Sequence, residues 1–180
     1  MAAVSIPPLP PPPNNPQLAS RQGIPPSFGK RIQKENDFYG WLLDQAWTLR
    51  RCAQTSVDLQ IDWADLAEEL EGMARNEERS LRSQIERVLV HLLKWKFQSQ
   101  RRSRSWKVSI ENGRDEINDL LRTSPSLKSK LSAFRDFAYT KARRTASDEM
   151  GCDESTLPVH CPWEDSEIIS DSFFPNGCTI

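Results

Sequence analysis

Apolar residues return at helical spacing in four stretches of the chain. The first runs from about Asn36 to Ala53. Phe38, Leu42, Ala46, Leu49 and Ala53 fall on one stripe, and Tyr39, Leu43 and Trp47 widen it. Asn36 or Asp37 supplies a capping side chain at its start. The connection from Gln54 to Ile61 alternates only weakly and ends at Asp62, a good N-cap. Trp63, Leu66, Leu70, Met73, Leu81, Ile85, Val88, Leu92 and Trp95 then follow in steps of three and four, with one gap at position 77. Acids crowd the start of this stretch (Asp65, Glu68, Glu69, Glu71) and bases its end (Lys94, Lys96), which suits the helix macrodipole. Unbroken from 62 to 98, such a helix is about 54 Å long. A compact domain of this size is roughly 35–40 Å across. The pattern therefore predicts a kink or break near Gly72–Asn76, or one helix protruding past its bundle.

Residues 99–105 read as a connection or a helix entry. A third helix carries Trp106, Ile110, Gly113, Ile117 and Leu120/Leu121 on one face. Ser124-Pro125 is a cap followed by proline at the first helical position. A fourth helix carries Leu127, Leu131, Phe134, Ala138, Ala142 and Ala146 and stops near Gly151. The remaining tail is acidic and has no Lys or Arg. Within it Cys161-Pro162-Trp163 opens a short helix through Ile168/Ile169, and Phe173-Phe174 is placed to pack back on the bundle. No run has strand character and no internal repeat is found.

Before the first helix the pattern vanishes. Residues 1–26 hold nine of the 13 prolines. Such a segment buries too little surface to offset its ordering entropy, so a disordered, polyproline-II-rich arm is expected. Pro7 to Pro10 and Pro10 to Pro13 both fit the PxxP ligand of an SH3- or WW-like groove. No Arg or Lys flanks them to orient binding, which favours a plain tail. The expected organisation is an arm over 1–35, one helical domain over 36–175 and a tail over 176–180. The fold class is all-α: a bundle of about four main helices, one of them long, with a short C-terminal helix.

Composition narrows the function only by exclusion. The chain has 180 residues, 24 Lys+Arg and 25 Asp+Glu, and a formal net charge of −1. That balance argues against a general nucleic-acid coat but leaves room for a local patch. No apolar run approaches 18 residues, so no membrane span is expected. Cys52, Cys152, Cys161 and Cys178 form no compact framework, and no secretory leader pattern opens the sequence. The thiols are therefore read as reduced and the protein as cytoplasmic.

The chemistry-bearing candidates are few. The stretch from Lys94-Trp95 through Arg101, Arg102, Arg104 and Trp106 to Lys107 carries positive charges and no acid. Interleaved aromatics could stack bases while the cations hold phosphates. The alternative is structural: Trp95 and Trp106 belong to the core, and the arginines pair with the acidic first turns of the long helix. On that view, if the long helix bends back, Glu68, Glu69 and Glu71 meet Arg102 and Arg104 across neighbouring antiparallel segments, and bidentate pairing locks the bundle. The same acids as a metal site lack the Glu-x-x-His motifs that bundle metal sites add. His91 would lie about 30 Å along the helix from them. Arg87-x-x-x-His91 only loosely resembles the Arg/His motif of helical HEPN-type ribonucleases: the spacing is one residue short, and a packed or edge histidine fits its neighbours better. Cys152, His160, Cys161 and Cys178 lack the closely paired ligands of structural zinc. Cys161 has no evident base and is followed by Pro162. No catalytic, metal or cofactor-binding residue is assigned and no cofactor is expected.

Several blocks in order resemble a known family. They are Asp37-Phe38-Tyr39, Asp62 before Leu66-Ala67-Glu68-Glu69-Leu70-Glu71, His91-Leu92-Leu93-Lys94-Trp95, and Arg102-Ser103-Arg104-Ser105-Trp106. Ser124-Pro125-Ser126-Leu127, Cys161-Pro162-Trp163 and Phe173-Phe174-Pro175 complete the set. Together, over roughly residues 36–175, the chain resembles domain of unknown function family twenty-nine, small bacterial proteins frequent in cyanobacteria. The resemblance implies an all-α domain and supplies no catalytic residues. The proline arm lies outside it, and the text between Gly151 and Cys161 departs from the family pattern.

The expectation for function is a non-enzymatic interaction or regulatory module acting through a protein partner or self-association. Its contact surface would be an exposed Trp41/Trp47 or Trp95/Trp106 patch. The alternatives are a nucleic-acid-binding regulator or toxin–antitoxin component using residues 94–107, and a hydrolase or nuclease around His91, Lys94 and Arg102.

Overall fold

The structure, a computed structural model, describes residues 32–54 and 61–177. The proline-rich arm, most of the 54–61 connection and Cys178 lie outside the described residues. Five α-helices follow in order: α1 Phe38–Gln54, α2 Trp63–Phe97, α3 Arg104–Thr123, α4 Leu131–Met150 and α5 Asp165–Ile169. Short 3-10 turns at Ser99–Arg101, Pro125–Lys130 and Glu154–Thr156 join them, and no β-strand occurs among the described residues. No helix of the described residues is long and apolar enough to cross a membrane.

α2 organises everything else. Asp62 caps it, its carboxylate accepting the Ala64 and Asp65 N–H groups at 3.1 and 3.0 Å. It then runs 35 residues without interruption, about 52 Å. Of the two outcomes the sequence predicted, the break near Gly72–Asn76 is absent and the protrusion is present. An interior glycine costs a helix only about 1 kcal/mol, and the buried Ala67 and Ala74 on either side of Gly72 pack this half of α2 against α1.

The order of contacts along α2 fixes the topology. Tyr39 meets Glu78 and Arg50 meets Glu71, so α1 runs antiparallel along the first half. Lys94 lies over Trp106, and Gly113 abuts Val88, so α3 returns antiparallel along the second half. Arg82 reaches Phe134, Glu86 reaches Lys141 and Lys94 reaches Glu149, so α4 runs parallel to that same half. α2, α3 and α4 thus form a three-helix bundle around Leu81, Ile85, Val88, Leu89, Leu92, Ile110, Ile117 and Ala142. α1 and the first half of α2 extend beyond it as a two-helix hairpin.

α4 ends in a Schellman motif. Gly151 adopts a left-handed φ of 68°, its N–H donates to the Asp148 carbonyl, and the Cys152 N–H donates to the Ser147 carbonyl. The acidic tail then folds back across α4 and α3, burying Leu157, Trp163, Ile168 and Pro175. Arginines hold it. Arg143 donates to the Glu154 carbonyl at 2.7 Å and to its carboxylate at 2.9 Å, and Arg135 pairs with Asp165 at 2.8 Å. A tail without bases has here found the bases of the neighbouring helix.

Candidate functional site

The first cluster of polar groups sits where the hairpin joins the bundle. The first-turn N–H groups of α1 have no partners within the helix. Asp37 accepts the Gly40 N–H at 3.0 Å, and the Ser124 hydroxyl accepts the Tyr39 N–H at 3.2 Å. Ser126 donates to Asp37 at 3.0 Å. The Tyr39 hydroxyl donates to Glu78 at 2.5 Å and accepts from the Lys130 ammonium at 2.6 Å, while Lys130 also pairs directly with Glu78. Burial raises the Tyr39 hydroxyl pKa, and its bond to Glu78 adds to that. Burial alone would raise the Glu78 carboxyl, but the hydrogen bonds from Lys130 and Tyr39 outweigh it and the pKa is lowered. Lys130 is raised: the opposing effect of burial is overcome by Glu78 and Tyr39. Ser124-Pro125-Ser126 therefore serves less as a cap for its own 3-10 turn than as the seat for α1.

The second cluster lies at the opposite end of α2. The Lys94 ammonium donates to Glu149 at 2.5 Å and lies 4.6 Å from the centre of the Trp106 ring. Trp95 packs on the other side against Phe174, with ring centres 5.0 Å apart, and the Arg102 guanidinium covers its face at 4.9 Å. Arg102 also donates to the Trp95 carbonyl at 2.9 Å and the Pro175 carbonyl at 3.2 Å. The tail passes so closely that a Cβ on Gly177 would stand 2.6 Å from that of Ser99 and 2.7 Å from Arg102. Arg101 and Arg104 are exposed on the same turn. His91 lies one turn before Lys94. Its Nδ1 donates to the Arg87 carbonyl at 2.9 Å, and burial lowers its pKa.

Three expectations are corrected here. Glu68, Glu69 and Glu71 do not meet Arg102 and Arg104. Glu71 pairs with Arg50 at 2.6 Å and more distantly with Arg75, while Glu68 and Glu69 are exposed. The reason is the unbroken α2, which holds residue 71 about 36 Å from residue 95. The pairing required the helix to fold back. The exposed tryptophan patch is also absent. Trp41, Trp47, Trp95 and Trp106 are each half-buried, with Lys34 over Trp41 and Arg51 over Trp47. Trp163 is 4% exposed and belongs to the core. Finally, the aromatics of the basic stretch are not open stacking platforms, since Phe174, Arg102 and Lys94 occupy their faces.

The sequence reading missed Arg114, which is fully buried. Its Nε donates to the Ile168 carbonyl at 2.9 Å, and its Nη2 donates to the carbonyls of Phe173 at 2.8 Å and Glu167 at 3.2 Å. The Glu167 and Ile168 carbonyls belong to the C-terminal end of α5, where a cation is favoured, and the Phe173 carbonyl lies in the loop beyond it. Burial lowers its pKa against the opposing pull of Asp171 and Glu111. The signal was available: Arg114 sits four residues after Ile110 and three before Ile117, inside the apolar stripe of α3.

Among the described residues no three His, Cys, Asp or Glu side chains gather as metal ligands. Cys161 donates weakly to the Trp163 carbonyl at 3.5 Å, and burial raises its pKa, which keeps it protonated.

These placements define an all-α domain with two polar joints and no assembled catalytic constellation among the described residues. The family described as Domain of unknown function DUF29 matches residues 34–174, and the chain belongs to it. A crystal structure of an α-helical protein of unknown function from Rhodospirillum rubrum shares the fold, with a TM-score of 0.64 and 22% identity, covering 80% of this chain and 93% of that one. No curated protein matches the sequence. Five of the seven blocks that carry the resemblance converge at the two joints; the Asp62–Glu71 block lies in the hairpin and Cys161-Pro162-Trp163 in the tail. Asp37-Phe38-Tyr39 and Ser124-Pro125-Ser126 meet at the first joint. His91–Trp95, Arg102–Trp106 and Phe173-Phe174-Pro175 meet at the second.

Proposed function

We propose that the protein is a non-enzymatic interaction module whose contact surface is the projecting hairpin. One observation carries this reading. Ile61, Leu66 and Met73 are 44, 46 and 45% exposed, and all three lie on or beside the hairpin half of α2, outside the bundle. A two-helix hairpin buries little on its own, and side chains of this kind left in water at its tip are the material of an interface. The first joint fits the same reading, since Asp37, Tyr39, Glu78, Ser124 and Lys130 hold the hairpin at a set angle to the bundle.

The test is a photo-reactive residue in place of Met73 in the full chain, irradiated in native lysate with and without nuclease. The expected product is a protein adduct that survives nuclease and is lost when Leu66 is also changed to Glu. Adducts to nucleic acid alone would reject it. A second reading, binding of nucleic-acid phosphates, draws support from the exposed Arg101 and Arg104. It predicts affinity that falls linearly in log salt and is lost in an Arg101→Glu/Arg104→Glu variant that still folds.

A further inference from the structure

We infer that the open face of α2 binds a second copy of this chain in antiparallel orientation. This deepens the interaction-module reading by naming the partner. The exposed positions of this stretch also include Ala64, Asp65, Glu68, Arg75 and Arg79, and among them one row advances from Asp62 by four and three: Leu66, Glu69, Met73, Asn76 and Ser80. The same steps continue through Ser83 to Arg87, all exposed. The repeat is 3.5 residues, the spacing at which a straight seam meets a partner helix. The seam crosses from the hairpin half to the bundle half; α3 and α4 cover other sides of the bundle half, and α1 covers one side of the hairpin half.

Charge selects the occupant. Asp62, Asp65 and Glu69 make the first end of the seam acidic, and Arg87 makes its far end basic. A parallel copy would set acids against acids and arginine against arginine. An antiparallel copy centred near Asn76 brings Arg87 of each chain level with Leu66 of the other, between Asp65 and Glu69. It also sets Met73 opposite Ser80, a long apolar side chain against a small one. The interface is isologous, so every pairing occurs twice. Flanking charges of this kind set orientation and partner choice in helical pairs. The exposed pairs and the sparse apolar content make the association weak and salt-sensitive.

The test is sedimentation of the full chain at low salt and at about 0.5 M salt. Dimers that dissociate as protein is diluted or salt is raised are expected. Arg87→Glu alone, and Asp65→Arg with Glu69→Arg, should each weaken the dimer at least about tenfold, while each chain keeps its helical circular dichroism and a cooperative melt at high salt, where the parent too is dissociated. Mixing these two variants should restore dimers, because each altered end then faces a complementary one. A monomeric parent at low salt, or variants that fail to recombine, would overturn the inference. A monomeric parent that still yields a different protein adduct through position 73 would overturn the second-copy partner and leave the interaction-module reading standing.

Discussion

Replacing Arg114 with Met should release the acidic tail while leaving the three-helix bundle folded. Three backbone carbonyls, those of Glu167, Ile168 and Phe173, accept from this one guanidinium in the interior. A buried acceptor left without its donor costs about 1–3 kcal/mol, so three set an upper limit near 9 kcal/mol. Two effects reduce it. Methionine fills much of the same volume, and it removes a buried charge whose desolvation cost several kcal/mol. The tail can also lift so that water reaches the carbonyls, which caps the loss at the free energy of tail docking. The expected net loss is about 2–4 kcal/mol. Arg114→Lys should be no milder, because it keeps the charge and offers one point donor for three carbonyls. Amide hydrogen exchange reads this directly. Protection at Ile168 and Phe173 should collapse, while Leu89 and Leu92 exchange nearly as in the parent. Unchanged protection in the tail together with an unchanged denaturation midpoint would refute the argument, and the docking would then rest on the buried apolar residues of the tail and on its contacts with Arg102, Arg135 and Arg143.

Gly113→Ala should destabilise by about 1 kcal/mol, because the new Cβ would stand 2.7 Å from Val88 Cγ2 and the strain exceeds the gain in helix propensity. In a Val88→Ala background the same change should become stabilising, which thermal melts of the four chains decide. Glu69→Ala should leave the melting temperature unchanged, and Glu71→Ala should cost less than about 1 kcal/mol, since its ion pair with Arg50 is largely exposed. The joint predicts a pH profile. Glu78 has a lowered pKa, so its stabilisation is present above about pH 4.5 and is lost as pH falls through the depressed folded value. Tyr39 and Lys130 have raised values, so theirs is present below about pH 10 and is lost as pH rises through the elevated folded values. Urea midpoints of the parent and of Tyr39→Phe across both ranges check this. The alkaline loss should be smaller in the variant.

The helices were legible because they rest on local rules. The Asp62 cap and the Gly151 stop each act within a few residues and stand where expected; the period located the helices, but it also claimed Leu66 and Met73, which are exposed, and Leu127, which lies in the 3-10 turn ahead of α4. What depended on distance was not legible. Gly72 and Asn76 resemble a break until α1 is seen packed along that half of α2. The pairing of Glu69 with Arg102 followed from charge alone and failed on the length of a straight helix. For Arg114 the apolar stripe of α3 signals burial but not the partners, which lie more than fifty residues away and are backbone carbonyls that carry no sequence signature. The expected tryptophan patch failed in the same way, because cations and rings brought from elsewhere in the chain cover Trp41, Trp47, Trp95 and Trp106.

The unbroken central helix makes the molecule a lever. Its second half is clamped among α3, α4 and the tail, and its first half carries only α1. With a free arm of about 25 Å, a 10° tilt at the joint would move the hairpin tip by roughly 4 Å. The hydrogen bonds among Tyr39, Glu78 and Lys130 lie at the fulcrum. A change in protonation or packing at those three residues would therefore be read out as displacement at Leu66, well away from where it occurred.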